Sequence, residues 1–132
     1  MAKPKRNARR NDRAGFTLVE LMVVVAIIAI LATTASVYFL GAVDDADQAK
    51  AKAEIQAMKT AVTAYMLKNN RKLPNSLDEL APFMDPPKIP MDPWGNPYVY
   101  TKDGTRKFTI MSHGADNAPG GDGINADISS AD

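Results

Sequence analysis

Two places in this 132-residue chain carry side chains that could do chemistry. The first is Glu20, flanked by Phe16-Thr17-Leu18-Val19 and by Leu21–Val43, a 23-residue run without one charged side chain. A carboxylate in a bilayer costs about 2.5–3.5 kcal/mol near the centre and less near the interface, so it either snorkels to water or meets a positive partner. A chain cut after Gly15 would supply that partner. The new amino group on Phe16 would sit one helical turn from Glu20, within one chain or between neighbours. The second place is the glycine-rich segment 112–128, where Asp116, Asn117, Asp122, Asn125 and Asp127 put an oxygen donor every few residues. Calcium takes roughly six to eight hard oxygen ligands, and glycine lets backbone carbonyls turn inward. The spacing is not that of an EF-hand, which leaves two readings open, a calcium loop and a solvated tail.

Other chemistries are excluded by composition. With no cysteine there is no disulfide, no thiolate zinc site and no cysteine nucleophile, and a single histidine cannot build a multi-histidine metal site. The sequence also shows neither a nucleophile elbow nor a phosphate loop, which argues against an anchored enzyme. A net charge of +1 argues against a nucleic-acid partner. That average hides a split: residues 1–15 hold six Lys/Arg and one Asp, whereas residues 16–132 hold ten Lys/Arg against fourteen Asp/Glu.

The elements that position these residues follow from pattern. The uncharged run is long enough, as a helix of about 1.5 Å rise per residue, to cross a bilayer core of about 30 Å. Lys3, Lys5, Arg6, Arg9, Arg10 and Arg13 precede it and Asp44, Asp45 and Asp47 follow, so the N-terminus stays cytoplasmic and the C-terminal body crosses. Residues 42–69 contain no Gly or Pro and continue the helix, with Ile55, Met58, Val62 and Tyr65 as one apolar stripe. Asn69-Asn70 and Leu73-Pro74 end it. Ser76-Leu77-Asp78-Glu79 predicts a capping box and a short helix to Met84 that buries Leu77, Leu80 and Phe83. Five prolines between Asp85 and Pro97 exclude regular structure there. Short strands follow over Tyr98–Thr101 and Lys107–Ser112, joined at Asp103-Gly104, with Phe108 and Ile110 on one face. A small antiparallel sheet laid on a long helix is a two-layer α+β arrangement.

Gly15-Phe16-Thr17-Leu18-Val19-Glu20 resembles the processing motif of the type IV pilin and pseudopilin superfamily. The resemblance implies a pilin-like fold with a cleaved basic leader (1–15), a transmembrane and polymerisation helix (16–43) and a periplasmic globular domain (44–132). It implies that a prepilin peptidase cuts after Gly15 and N-methylates Phe16, and that Glu20 contacts a neighbour's N-terminus in a homo-oligomeric helical filament. Pro90-Met91-Asp92-Pro93-Trp94-Gly95-Asn96-Pro97-Tyr98 is similar to a segment of the major pseudopilins of type II secretion. Asp92-Pro93 and Gly95-Asn96 read as turns pinned by Trp94, a scaffold and not a site.

That narrower resemblance implies a structural subunit that drives export of folded proteins across the outer membrane. The alternative is a type IV pilus subunit, but most such pilins close a C-terminal loop with a cysteine pair. The implied partners are minor pseudopilins, an inner-membrane platform with its ATPase, and inner-membrane lipid, with no nucleic acid. The implied cofactor is Ca²⁺, held by Asp116 and Asp127 with the backbone carbonyls of His113 and Ala118, and with Asp122 and Asn125 as further candidates. Departures from the family pattern are Ala29 and Val37, where glycine and proline are frequent, and Thr63, where an acid often pairs across subunits with a base such as Lys88. His113 stands where leucine is common and is read as a substituted loop residue.

Overall fold

The computed structural model describes residues 15–131, so the basic leader, apart from Gly15, lies outside the described residues. Helix α1 runs over Leu18–Lys68, and the chain divides between Tyr38 and Phe39 into two units. The first unit carries the apolar part of α1 up to Tyr38, with Glu20 in its first turn. Among the described residues α1 is the one helix long and apolar enough to cross a membrane, and none of its apolar stretch is buried. The large apolar side chains from Leu18 to Tyr38 are 52–78% exposed. The polar residues there are satisfied internally. Thr33, Thr34 and Ser36 donate their hydroxyls to the carbonyls of Ala29, Ile30 and Ala32 at 2.9, 2.7 and 2.9 Å, the i−4 bond that lets a hydroxyl sit in an apolar helix. The helix passes through Ala29 and Val37 without a break, as expected where neither glycine nor proline interrupts the ladder.

In the second unit the rest of α1 builds a core. Ala51, Ile55, Met58, Ala61 and Val62 are buried together with Leu73, Leu77, Leu80, Tyr98, Ile110 and Ile128. The spacing of Ile55, Met58 and Val62 is the helical period of the sequence pattern, and Tyr65 extends the stripe half-buried. The helix ends in a Schellman motif. Asn70 takes a left-handed φ of 52°, and the Arg71 N–H reaches back to the Met66 carbonyl at 2.8 Å.

The next segment is a 3-10 helix over Leu77–Phe83, with Leu77 and Leu80 buried as predicted and Phe83 packed edge-on against Tyr65. The predicted capping box does not form, since the Ser76 side chain makes no cap bond. Its acidic partner is committed elsewhere: the Glu79 carboxylate accepts from the Tyr65 hydroxyl and from Asn75.

The sheet has the order β1-β2-β3, all antiparallel, with β1 at Val99–Asp103, β2 at Lys107–Ser112 and β3 at Ile128–Ser129. The first strand starts one residue later than predicted and runs two further, because Tyr98 is buried with its hydroxyl on Glu54 of α1. Gly104, at φ 88°, makes the turn. Tyr100 lies opposite Ile110, and Phe108 packs on the Tyr100 ring at 6.2 Å, so the Phe108/Ile110 face is the inward one. Strand β3 is unanticipated. It pairs Met111 with Ser129 and Ser112 with Ile128, which draws the tail onto the sheet.

Candidate functional site

The junction at the head of α1 is built from a local cap. Gly15, Phe16 and Thr17 lie outside the helix, which begins at Leu18. The Thr17 N–H and hydroxyl donate to Glu20 Oε2 at 2.9 and 3.2 Å, and the Glu20 N–H donates to Thr17 Oγ1 at 3.2 Å. This reciprocal S/T-x-x-E cap satisfies two otherwise orphaned N–H groups and gives the carboxylate partners in its own chain. Thr17 was readable as that partner from its spacing to Glu20. Gly15 has open space around it and Phe16 is 87% exposed, so the bond between them is accessible.

The proline-rich turn is organised by Asp92, which is buried. Its Oδ1 accepts the N–H groups of Trp94 and Asn96 at 3.2 and 2.7 Å, and its Oδ2 accepts the Ser112 hydroxyl at 2.7 Å. The turn is thereby fastened to β2, consistent with a scaffold. An aspartate ahead of a turn is a visible signal, but its bond to Ser112 is set only by the fold.

The C-terminal loop carries the remaining candidates. Asp127 lies at its centre: Oδ1 is 2.9 Å from His113 Nδ1, and Oδ2 accepts the Gly120 N–H at 2.9 Å. Those hydrogen bonds, the Gly120 one foremost, hold the Asp127 carboxyl below its usual range. Asp116 Oδ1 accepts the Ala118 N–H at 3.1 Å in a local turn. Asp122 precedes the 3-10 turn Gly123–Asn125 and Asn125 is its last residue, and Asp122 lines a shallow groove with Asp44, Asp45 and Gln48. The loop is tightly wound. A Cβ on Gly114 would meet the Ile124 carbonyl oxygen at 2.7 Å, and one on Gly121 the Asn125 oxygen at 2.5 Å. It is tied to α1 through Gln48 Nε2 on the Gly123 carbonyl at 3.1 Å and Lys59 Nζ on the Ser130 carbonyl at 2.8 Å.

The donor chemistry fits a hard cation. The predicted ligands offer oxygen alone, on a loop whose positive-φ residues Gly114, Asn117, Gly120, Gly121 and Gly123 free carbonyls to turn. Among the described residues no three His, Cys, Asp or Glu side chains gather around one point, so backbone carbonyls would have to complete any site. The family's cross-subunit pair, not expected here because residue 63 is Thr, has no acid to build it: the Thr63 hydroxyl bonds the Lys59 carbonyl at 3.1 Å, and Lys88 is exposed. What sequence reasoning missed is the side chain of His113.

Residues 38–131 match the family described as type II secretion system (T2SS), protein G, and residues 10–36 match the prokaryotic N-terminal methylation motif. The chain is 36% identical to the type II secretion system core protein G of Pseudomonas aeruginosa, over 94% of this chain and 99% of the relative. Against the protein of the same name from Vibrio cholerae it is 35% identical, over 91% and 92%.

Proposed function

Because this chain belongs to the type II secretion system protein G family, we propose that it is the major subunit of a pseudopilus that drives export of folded proteins across the outer membrane. The observation that carries this reading is the first unit, an exposed apolar helix with Glu20 as its one charged side chain, which starts two residues after an accessible Gly15–Phe16 bond. In water a contiguous apolar surface of that size would drive aggregation. Lipid covers it in the stored monomer, and copies of the same helix cover it in a filament. Prepilin peptidase cuts after Gly15 and methylates Phe16, and the basic leader keeps the N-terminus on the cytoplasmic side of the inner membrane until then. The body, residues 44–132, lies in the periplasm.

Glu20 serves both states. Its own Thr17 satisfies it in the monomer, and in the filament it turns to the positive N-terminus of a neighbour, which fixes axial register. Extraction of the helix from lipid takes work, which an inner-membrane platform and its ATPase supply, and minor pseudopilins join the same filament. In the periplasmic loop Asp116 and Asp127, with the carbonyls of His113 and Ala118, hold calcium, and Asp122 and Asn125 are further oxygen donors. Bound calcium would supply a cross-link between the two ends of the loop. Asp127 already joins those ends through His113 and Gly120, which supports that role.

Mass spectrometry of the mature protein tests the processing step: the expected first residue is a methylated Phe16, and an intact Met1 terminus would overturn it. Deleting the gene tests the assembly. Loss of exoprotein secretion is the expected outcome, whereas loss of surface pili with secretion intact would transfer the chain to the pilus class.

A further inference from the structure

The pairing of β2 with β3 stops after two rungs, Met111 with Ser129 and Ser112 with Ile128. In an antiparallel register the next opposed pair is His113 and Asp127, and opposed side chains on one face reach each other. They do so here: His113 Nδ1 lies 2.9 Å from Asp127 Oδ1, with the two side chains only 17% and 28% exposed. A carboxylate only accepts hydrogen bonds, so Nδ1 carries the proton and donates. The other oxygen of Asp127 holds the Gly120 N–H, so one carboxylate links the loop's start, its middle and its end.

We propose that the His113 side chain is a positioning residue for Asp127, a clasp that keeps the loop closed without a metal ion, so that loop order in this chain depends only partly on calcium. The calcium half of this inference rests on the calcium reading above; the clasp itself does not. Two features make the clasp matter. Strand β3 has only two residues, so the ladder alone holds the tail weakly. The loop is also wound too closely to shift in part, because Gly114 and Gly121 both abut the backbone of Asn125, two residues before Asp127. Releasing Asp127 therefore loosens the whole turn. With the clasp in place, Asp127 is held in one orientation before any ion arrives, which lowers the ordering cost of binding. Leucine at residue 113 has a similar bulk and no donor.

The test is limited proteolysis of the full-length chain in detergent, with mass spectrometry locating cuts within residues 114–126. Wild type, His113→Leu and His113→Asn are compared in chelator and in excess calcium. In chelator His113→Leu should be cut at least about tenfold faster than wild type, the change expected when local opening loses one hydrogen bond to a charged group. His113→Asn should recover most of the protection, because its amide nitrogen falls near the place of Nδ1. Excess calcium should bring the three chains to within about twofold of one another, since the ion then closes the loop. Equal cutting of His113→Leu and wild type in chelator would overturn the clasp, and so would failure of asparagine to rescue. If His113→Leu is cut faster and asparagine rescues it, but calcium alters none of the three, the clasp stands and the calcium loop is refuted.

Discussion

The two parts of α1 have the same backbone and opposite surroundings. Up to Tyr38 its large apolar side chains are exposed on every side, whereas from Ala51 to Val62 one stripe is buried and the opposite face is polar. The difference shows where each part finds its cover. A helix apolar all round has no preferred face, so its cover comes from outside the chain, while a helix with one stripe is covered by its own sheet and loops. Glu20 fits the same division. It is an acid placed in the part that awaits a partner, and it is provisionally satisfied by Thr17.

This comparison can be broken or sharpened by substitution. The largest effect is expected from Glu20→Gln, which removes the charge that we propose faces a neighbour's N-terminus in the filament. Leaving one charge of a desolvated pair unmet costs about 3–5 kcal/mol, so filament yield by shearing and immunoblot should fall at least tenfold. The melting of residues 44–132 should not change, and a filament yield equal to wild type would remove Glu20 from assembly.

Next in size is a matched pair on the two parts of the helix. Met58→Ala should cost about 2–5 kcal/mol in urea unfolding of the globular body, because it opens a cavity among fully buried side chains. Ile28→Ala should leave the same transition within about 0.5 kcal/mol, since Ile28 is 59% exposed and lies outside the core. Equal losses would mean that the apolar half does bury against its own protein.

The smallest effect is electrostatic. The Tyr65 hydroxyl, with Asn75, holds the Glu79 carboxyl below its usual range, and the same contact pushes the Tyr65 hydroxyl up. A carboxyl depressed by folding contributes stability above its unfolded pKa, about 4.3, and loses that contribution as pH falls through the folded value. Urea midpoints should therefore decline at acid pH, and Glu79→Gln should flatten that decline by a small amount because the pair is solvent-accessible. At pH 7 the pair contributes throughout, so a variant that altered only the alkaline limb would contradict this account.

Much of the molecule was legible in the sequence because it is written in near neighbours. The span, the continuation of α1, the buried Ile55-Met58-Val62 stripe and the Asp103-Gly104 hairpin all follow from spacings of two to four residues. The failed capping box at Ser76 marks the limit of that reading. The local pattern was present, but Tyr65, fourteen residues earlier, competed for Glu79. The candidate loop shows the same limit, since its oxygen donors could be named while their hydrogen-bond partners could not.

The sequence by itself therefore determined the helix and its two characters, and the supply of oxygen donors near the C-terminus. Tertiary structure alone decided that Ile128-Ser129 forms a third strand, that Asp92 fastens its turn to Ser112, and that His113 meets Asp127. The physical reason is register. A helix brings together residues three and four apart whatever surrounds it, but a strand can pair at many offsets. Only the packed core, with Ile110 and Ile128 both buried beneath the sheet, selects the offset that sets His113 opposite Asp127.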